Sequence, residues 1–399
     1  MVVLGEPMEH VQSAAFTFLL PCGAARLPQG CCGAAEVILD WLFRGAGPRD
    51  SRALSDALDG LGVQRHSSVS AYHLNIAGTL EASNLLAALD IYADVILHPR
   101  LDPDQFRLSR ELALQELAAL EDEPQQKVMM LLYEHFYPDP LGRPTLGKVA
   151  EVQGLDAQRA AGVIRDRFDL GRAIFAVAGK YDFDAVCRRM ETLFAAAPAK
   201  TTPAITPQAN AAGSHHEHHD GAQVHIGLMT PAPPIAGNDY YNIMAAVSIL
   251  GGGMSSRLFT EVREKRGLCY AVGARYNTLC DRAGIGCYAG TTPDKAQQTL
   301  DLIVHEFTRL REEVSEDEMH RARIGLKSTL VMQSESTSAR AGGIAGDYFL
   351  LGRVRPLAEI RQRLEETTRD SVLGFLNRNP FSKFTVVSVG PQQLDLAGI

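Results

Sequence analysis

Several features that would place a sequence in a class at once are scarce or missing from these 399 residues. No run approaches the roughly 18 consecutive apolar residues of a membrane-crossing helix. The seven cysteines (Cys22, Cys31, Cys32, Cys187, Cys269, Cys280 and Cys287) contain no CxxC spacing and are odd in number. That pattern excludes a zinc ribbon or a disulfide framework and predicts reduced, mostly buried thiols. Basic residues are in deficit, 39 Lys and Arg against 47 Asp and Glu, for a net charge of −8. Neither nucleic acid nor an anionic membrane is therefore an expected partner. The opening residues, MVVLGEPMEHVQ, have no basic segment ahead of an apolar one and are not arginine-rich. Read as a leader they fit neither a secretory nor a mitochondrial signal, and a cytoplasmic protein is expected.

What is present is an ordinary globular composition, 46% apolar and 22% charged. The length suggests two domains of about 200 residues. Internal similarity supports the same division. LDIYADVIL (89–97) resembles LDLIVHEF (300–307), DPDQFRLSRELALQEL (102–117) parallels SEDEMHRARIGLKSTL (315–330), and PLGRP (140–144) parallels LLGRV (350–354). The offsets are 211, 213 and 210 residues, in the same order along the chain. RAIFAVAGKYDFD (172–184) likewise has a counterpart in SKFTVVSVGPQQLD (382–395). Between the halves, 199–221 is rich in Pro, Ala, Thr and polar residues without hydrophobic period, and reads as a linker. The predicted domains are thus 1–198 and 222–399. Helical periodicity marks 50–61, 82–97, 102–121 and 156–168, then 238–249, 255–265, 293–313 and 315–333. Strand-like alternation marks 14–21, 73–80, 173–179, 223–229, 269–277 and 384–390. The predicted class is α+β, a mostly antiparallel sheet covered by helices, built twice.

One short helix pattern carries unusual chemistry. GAAEVILDWLFRG (33–45) places Glu36 and Asp40 four residues apart, on one helix face. That spacing can offer two ligands to a metal, yet neither residue is histidine. The stretch resembles the active-site helix of the pitrilysin/insulinase-type zinc peptidases, G-x-A-H-F-L-E-H-M-L-F-R-G. FYPDPLGRPTLGKVAEV (136–152), ILGGGMSSRLFTEVREKRGLCYAV (249–272) and QSESTSARAGGIAGDYFLLGR (333–353) are also similar to segments of that family. The resemblance spans nearly the whole chain and is best in the small branch that contains mitochondrial processing peptidase and its bacterial relatives.

The resemblance implies an insulinase-like duplicated metallopeptidase fold and a definite set of site positions. In the family's His-x-x-Glu-His motif, two histidines bind zinc and the glutamate activates the bound water. Carried onto this chain, the histidine positions are Glu36 and Asp40 and the general-base position is Leu39. The family's distal ligand, a glutamate some 76 residues on, falls on Glu116. Leucine takes no proton, so no catalytic position is intact and the chain alone is expected to be inactive. The three acids read either as a relic site, solvated or paired with neighbouring Arg or Lys, or as oxygen ligands for a hard cation such as Mg²⁺ or Ca²⁺. No zinc is expected here.

The second half resembles the family's substrate-binding element. SSRLFTEVREKRGLCYAVGARY (255–276) reads as a helix capped by Ser255 or Ser256, ending at Gly267, then a strand. The resemblance makes Arg263 and Tyr270 the pair that binds the substrate backbone; a guanidinium and a phenol both donate to carbonyl oxygens. The plainer alternative has Arg263 serving its helix C-terminus and Tyr270 buried in the strand. In this branch a zinc-bearing chain pairs with one that lacks the motif, which implies a non-catalytic subunit of a heterodimer that handles peptides. The expected partners are a homologous zinc-binding peptidase subunit, which would carry the zinc, and a peptide. Two other readings stay open: an assembly protein like the respiratory-complex core subunits, or an enzyme using another cation. LGGGMSSR (250–257) is a shorter form of a glycine-rich loop of the mitochondrial non-catalytic subunit. SHHEHHD (214–220), with His215, His216, His218 and His219, reads as adventitious metal affinity in a flexible segment. His66 and His73 read as packing residues of a strand region.

Overall fold

A computed structural model describes residues 1–196, 200, 203–208 and 213–397. It contains two five-stranded sheets of the same connectivity, and the strand order exposes the duplication directly. The first sheet runs β1 (Val2–Pro7), β7 (Ile174–Gly179), β2 (Ser13–Leu20), β6 (Leu74–Glu81), β5 (Gln64–Val69). The second runs β8 (His215–His218), β12 (Thr385–Gly390), β9 (Val224–Ala232), β11 (Ala283–Thr291), β10 (Cys269–Thr278). In each sheet only the first pair is parallel, β1 with β7 and β8 with β12, and every other neighbour is antiparallel. β3 (Gly45–Ala46) and β4 (Arg49–Asp50) form a separate small ribbon.

The correspondence explains one departure from the sequence reading. His215–His218 is not part of an irregular linker; it is the second half's copy of β1. A strand of four residues, three of them histidine, has no apolar alternation to announce it. The compact units also depart from a cut at the linker. One comprises 1–119, 139–208 and 333–349, the other 120–138, 209–332 and 350–399.

The helices of the first half are α1 (Ala34–Leu42), α2 (Ser51–Gly60), α3 (Leu85–Leu97), α4 (Pro103–Ala119), α5 (Pro124–Phe136), α6 (Val149–Gln153), α7 (Ala157–Arg167) and α8 (Phe183–Phe194). Those of the second are α9 (Tyr240–Gly251), α10 (Ala296–Arg309), α11 (Glu316–Ser334), α12 (Thr337–Leu351), α13 (Leu357–Glu366) and α14 (Arg369–Arg378). In the first unit β7 is buried along its whole length, as a central strand covered on both faces must be. Phe16 lies edge-on to Tyr92 of α3 at 4.7 Å, and Phe18 meets Phe175 at 4.8 Å. Each such buried ring is worth about 1.5–3 kcal/mol over an exposed one.

α12 belongs to this same unit: Ala341 packs with Met8, Ala15 and Ala178. Next to it, the largely buried Arg340 holds Glu6 of β1 by two hydrogen bonds of 2.7 and 2.6 Å. In the second unit α5 covers β9 and β12. It lies close because the strands offer glycine beneath it. A Cβ on Gly227 would stand 3.3 Å from Leu132, and one on Gly284 would stand 2.8 Å from Phe136. Each half therefore sends one helix into the other compact unit. The five cysteines at 22, 31, 32, 269 and 287 are buried, and among the described residues there is no disulfide. No described helix is long and apolar enough to cross a membrane.

A prediction follows from the helix exchange. Residues 1–208 expressed alone lack α12, and 209–399 alone lack α5, so each keeps an uncovered patch of apolar sheet. Neither fragment should unfold cooperatively by itself, whereas co-expression should return a soluble complex, as read by circular dichroism melting and size-exclusion chromatography. A sharp melting transition from either fragment alone would contradict this reading of the units.

Candidate functional site

The first unit sets Glu36, Asp40 and Glu116 within electrostatic reach of one another. α1 packs on α4 through the only tryptophan in the chain. Trp41 is 1% exposed, donates its indole N–H to the Asp102 carbonyl at 2.9 Å and lies edge-on to Phe106 at 4.9 Å. Val37, Ile38, Leu39, Trp41 and Leu42 are buried, leaving Glu36 and Asp40 half-buried on the remaining face. Glu116 sits exposed near the end of α4.

The three carboxyls feel one another. Burial pushes the Glu36 carboxyl up to about 7, and the charges of Glu116 and Asp40 push in the same direction. Glu116 is raised as well, by burial and then by Asp40. Asp40 is the best compensated. Its Oδ2 accepts from Arg44 Nε at 2.5 Å and from the Ser109 hydroxyl at 2.5 Å. Arg44 lies just past the end of α1, four residues after Asp40, so Asp40 is paired with a neighbouring arginine.

This donor set does not fit zinc. It offers no imidazole, one of its carboxylates is taken by an arginine and a serine, and carboxylates alone are hard ligands for a borderline-soft ion. Leu39, between the two acids on α1, is 3% exposed and has no proton to exchange. Among the described residues, no group of three or more His, Cys, Asp or Glu side chains could hold a metal ion.

The second unit presents Arg263 and Tyr270 in an unexpected local geometry. The segment Phe259–Glu264 is a π-helical turn rather than the last part of an α-helix. Such turns are short, strained insertions found often at functional sites. The turn ends at Gly267, with φ +58°: its N–H bonds the Arg263 carbonyl, and the Leu268 N–H reaches back to Val262 at 3.0 Å. The first of these is the bond of an αL ending, and the two together satisfy the Arg263 and Val262 carbonyls through backbone N–H groups. Lys265 and Arg266 both pair with Glu261 at 2.7 Å. Arg263, exposed, rests its guanidinium 4.8 Å from the Phe259 ring centroid and forms no ion pair with a described residue.

The turn packs on β10, and Arg263 lies near enough to Cys269 to lower its thiol against the burial that raises it to about 11. The next residue, Tyr270, stands at a bulge. Cys269 pairs with Thr291 and Ala271 with Gly290, leaving Tyr270 without a partner across the ladder. Bulges re-aim side chains, and Tyr270 is 62% exposed, not a buried strand aromatic. Spacing in the sequence revealed neither the π-turn nor the bulge, because both depend on hydrogen-bond register.

The histidines are distributed along structure instead of forming one cluster. His215 stacks on His135 of α5 at 4.6 Å, His216 Nδ1 lies 2.9 Å from Ser388 Oγ, and His218 Nε2 lies 3.0 Å from Asp220. The His219 N–H donates to the Gly390 carbonyl at 3.2 Å. Glu217, between them, pairs with Lys127 of α5, which also bonds Glu121 at 2.7 Å. These contacts pin β8 to its sheet and to α5. His66 is exposed on β5, and His73 is buried edge-on to Phe349 at 4.3 Å, its imidazole pushed down to about 3 by burial.

The acid site has a pH signature whose sign is fixed. Glu36 gives up its proton near 4.5 in the unfolded chain and only near 7 in the folded one. Between those values the folded state holds a proton the unfolded state has lost, so this stabilisation is full below about 4.5 and lost as pH rises through about 7. Glu36→Gln should therefore melt higher than the parent chain at about pH 8 and equally below about pH 4.5. Melting followed by Trp41 fluorescence across that range checks it, and a difference independent of pH would refute it.

Two family models cover most of the chain: the insulinase (peptidase family M16) model over residues 3–149 and the peptidase M16 inactive domain over 155–326. Among curated relatives, an uncharacterized zinc protease of Streptomyces coelicolor is 29% identical, covering 93% of this chain and 83% of its own length. One of Rickettsia felis is 26% identical over 99% of this chain and 96% of its own. Among solved structures, a peptidase M16 inactive domain from Pseudomonas fluorescens superposes with a TM-score of 0.90 at 19% identity, covering 98% of this chain and 96% of that one. A protease from Helicobacter pylori gives 0.88 at 19% identity, covering 97% and 96%. Repeated sheets of one connectivity and these matches agree: the chain belongs to the insulinase family of peptidases, M16.

Proposed function

We propose that the chain is a non-catalytic subunit of a two-chain zinc peptidase, lending substrate-binding groups to a homologous partner that carries the zinc. The observation that carries this reading is the pairing of a disabled acid site with an intact donor pair. Leu39 stands buried where a general base is needed, while Arg263 and Tyr270 stay exposed. Glu261 pairs with the two adjacent cations, Lys265 and Arg266, and not with Arg263, which keeps its donors for a ligand. A guanidinium fork and a phenolic hydroxyl both donate to peptide carbonyls and stabilise charge developing on them.

In this reading the chain binds and orients an extended peptide while the partner supplies the zinc, the water and the base. The isolated chain should cleave no peptide and hold no stoichiometric zinc. Mixed with a homologue from the same genome bearing His-x-x-Glu-His, it should confer or strongly raise endopeptidase activity. Arg263→Ala should then lower kcat/KM about a hundredfold, the scale of one lost transition-state donor, and Tyr270→Phe should lower it by a smaller factor. Mixtures that stay inactive, or an Arg263→Ala subunit that performs like the parent, would sink the proposal. Co-purification with a large assembly, in place of one partner of similar size, would favour a scaffold role.

A further inference from the structure

The second unit contains a cavity of about 480 Å³ that neither the acid site nor the Arg263–Tyr270 junction uses. It opens at the end of the second sheet where β9 finishes and β11 and β12 begin. Its size falls within the roughly 300–1,000 Å³ of small-ligand sites. Phe136, Tyr137, Pro138, Pro231 and Phe384 make its walls predominantly apolar.

Those walls are anchored. Phe136 is seated over Gly284, where a Cβ would come within 2.8 Å of its ring. Tyr137 is buried and donates its hydroxyl to Asn277 Oδ1 at 2.6 Å. Phe384 lies edge-on to Phe307 of the core at 5.8 Å. A pocket with fixed apolar walls spends little of its binding energy on ordering itself.

Its charged groups are Asp281, Arg282 and Lys383, all exposed at the rim. The Asp281 carboxylate stands 3.7 Å from Arg282 Nε, beyond a good hydrogen bond, so the guanidinium keeps donors to offer. Lys383 makes no ion pair or side-chain hydrogen bond with a described residue. The rim thus carries one net positive charge in a chain whose net charge is −8. An apolar cavity under a singly positive rim selects an apolar body with a single negative charge. A cation would be repelled, and a phosphate dianion would carry more charge than the single net positive charge of the rim offsets.

We propose that this pocket binds the carboxylate of an apolar acid, its aromatic or branched body in the cavity and its carboxylate between Lys383 and Arg282. The acid can be a free small molecule or the C-terminal residue of a peptide, which share this chemistry. The inference does not depend on the proposed peptidase partnership, because it concerns the isolated chain.

Isothermal titration of the full chain tests it, with N-acetyl-L-phenylalanine, its amide and N-acetylglycine as probes. Saturable one-to-one binding is expected for the first only, since the amide lacks the charge and the glycine lacks the body. Lys383→Ala should weaken that binding about fivefold, the worth of one exposed charged contact. Adding Arg282→Ala should weaken it about a further fivefold, and Ala232→Trp should abolish it by filling the cavity with the melting temperature retained. A peptide ending in phenylalanine that binds as well as the free acid identifies a peptide terminus as ligand; binding of the free acid alone identifies a small molecule. No saturable binding, equal binding of the amide, or undiminished binding by the double charge variant would overturn the assignment.

Discussion

A five-stranded sheet with one apolar face is stable only when that face is covered, and here the cover in each unit includes a helix from the other half of the chain. α5 can lie on the second sheet because glycines at 227 and 284 leave room for Leu132 and Phe136. α12 is held to the first by small-residue packing at Ala341 and by the Arg340–Glu6 pair at the sheet edge. The acid helix, the π-turn and the rim of the cavity are all carried on this frame. None is held by a disulfide among the described residues, so the apolar cover bears the stability.

The same frame carries two polar regions with opposite electrostatic character. On α1, burial and mutual repulsion make carboxylates costly, and the cost is partly offset by Arg44 and Ser109 at Asp40. Leu39, on the same helix, is buried and carries no group that exchanges a proton. Around Arg263 the charges are sorted the other way. Glu261 satisfies Lys265 and Arg266, and one arginine is left with its donors facing outward.

The duplication was legible because helices recur at nearly constant offsets, and hydrophobic period survives substitution even where identity does not. Strands β2, β6, β7, β9, β10 and β12 were visible for the same reason. β8 was not, since HHEH carries no alternation and its strand character comes from pairing with β12 and from Lys127 and His135 of a helix distant in sequence. The exchange of α5 and α12 was equally hidden, because an amphipathic helix shows that it has a buried face and not which sheet buries it.

The sequence by itself determined the class, the repeat, the family and the placing of Glu36 and Asp40 on one helix face, since these depend on residue type and spacing along the chain. The tertiary structure alone decided that Asp40 pairs with Arg44 and Ser109, that Glu36 is the strained carboxyl, and that Tyr270 stands outward at a bulge. It also decided that the histidine run is a strand and that a cavity opens under Lys383. These are properties of burial, ladder register and contacts between remote segments, which have no one-dimensional signature.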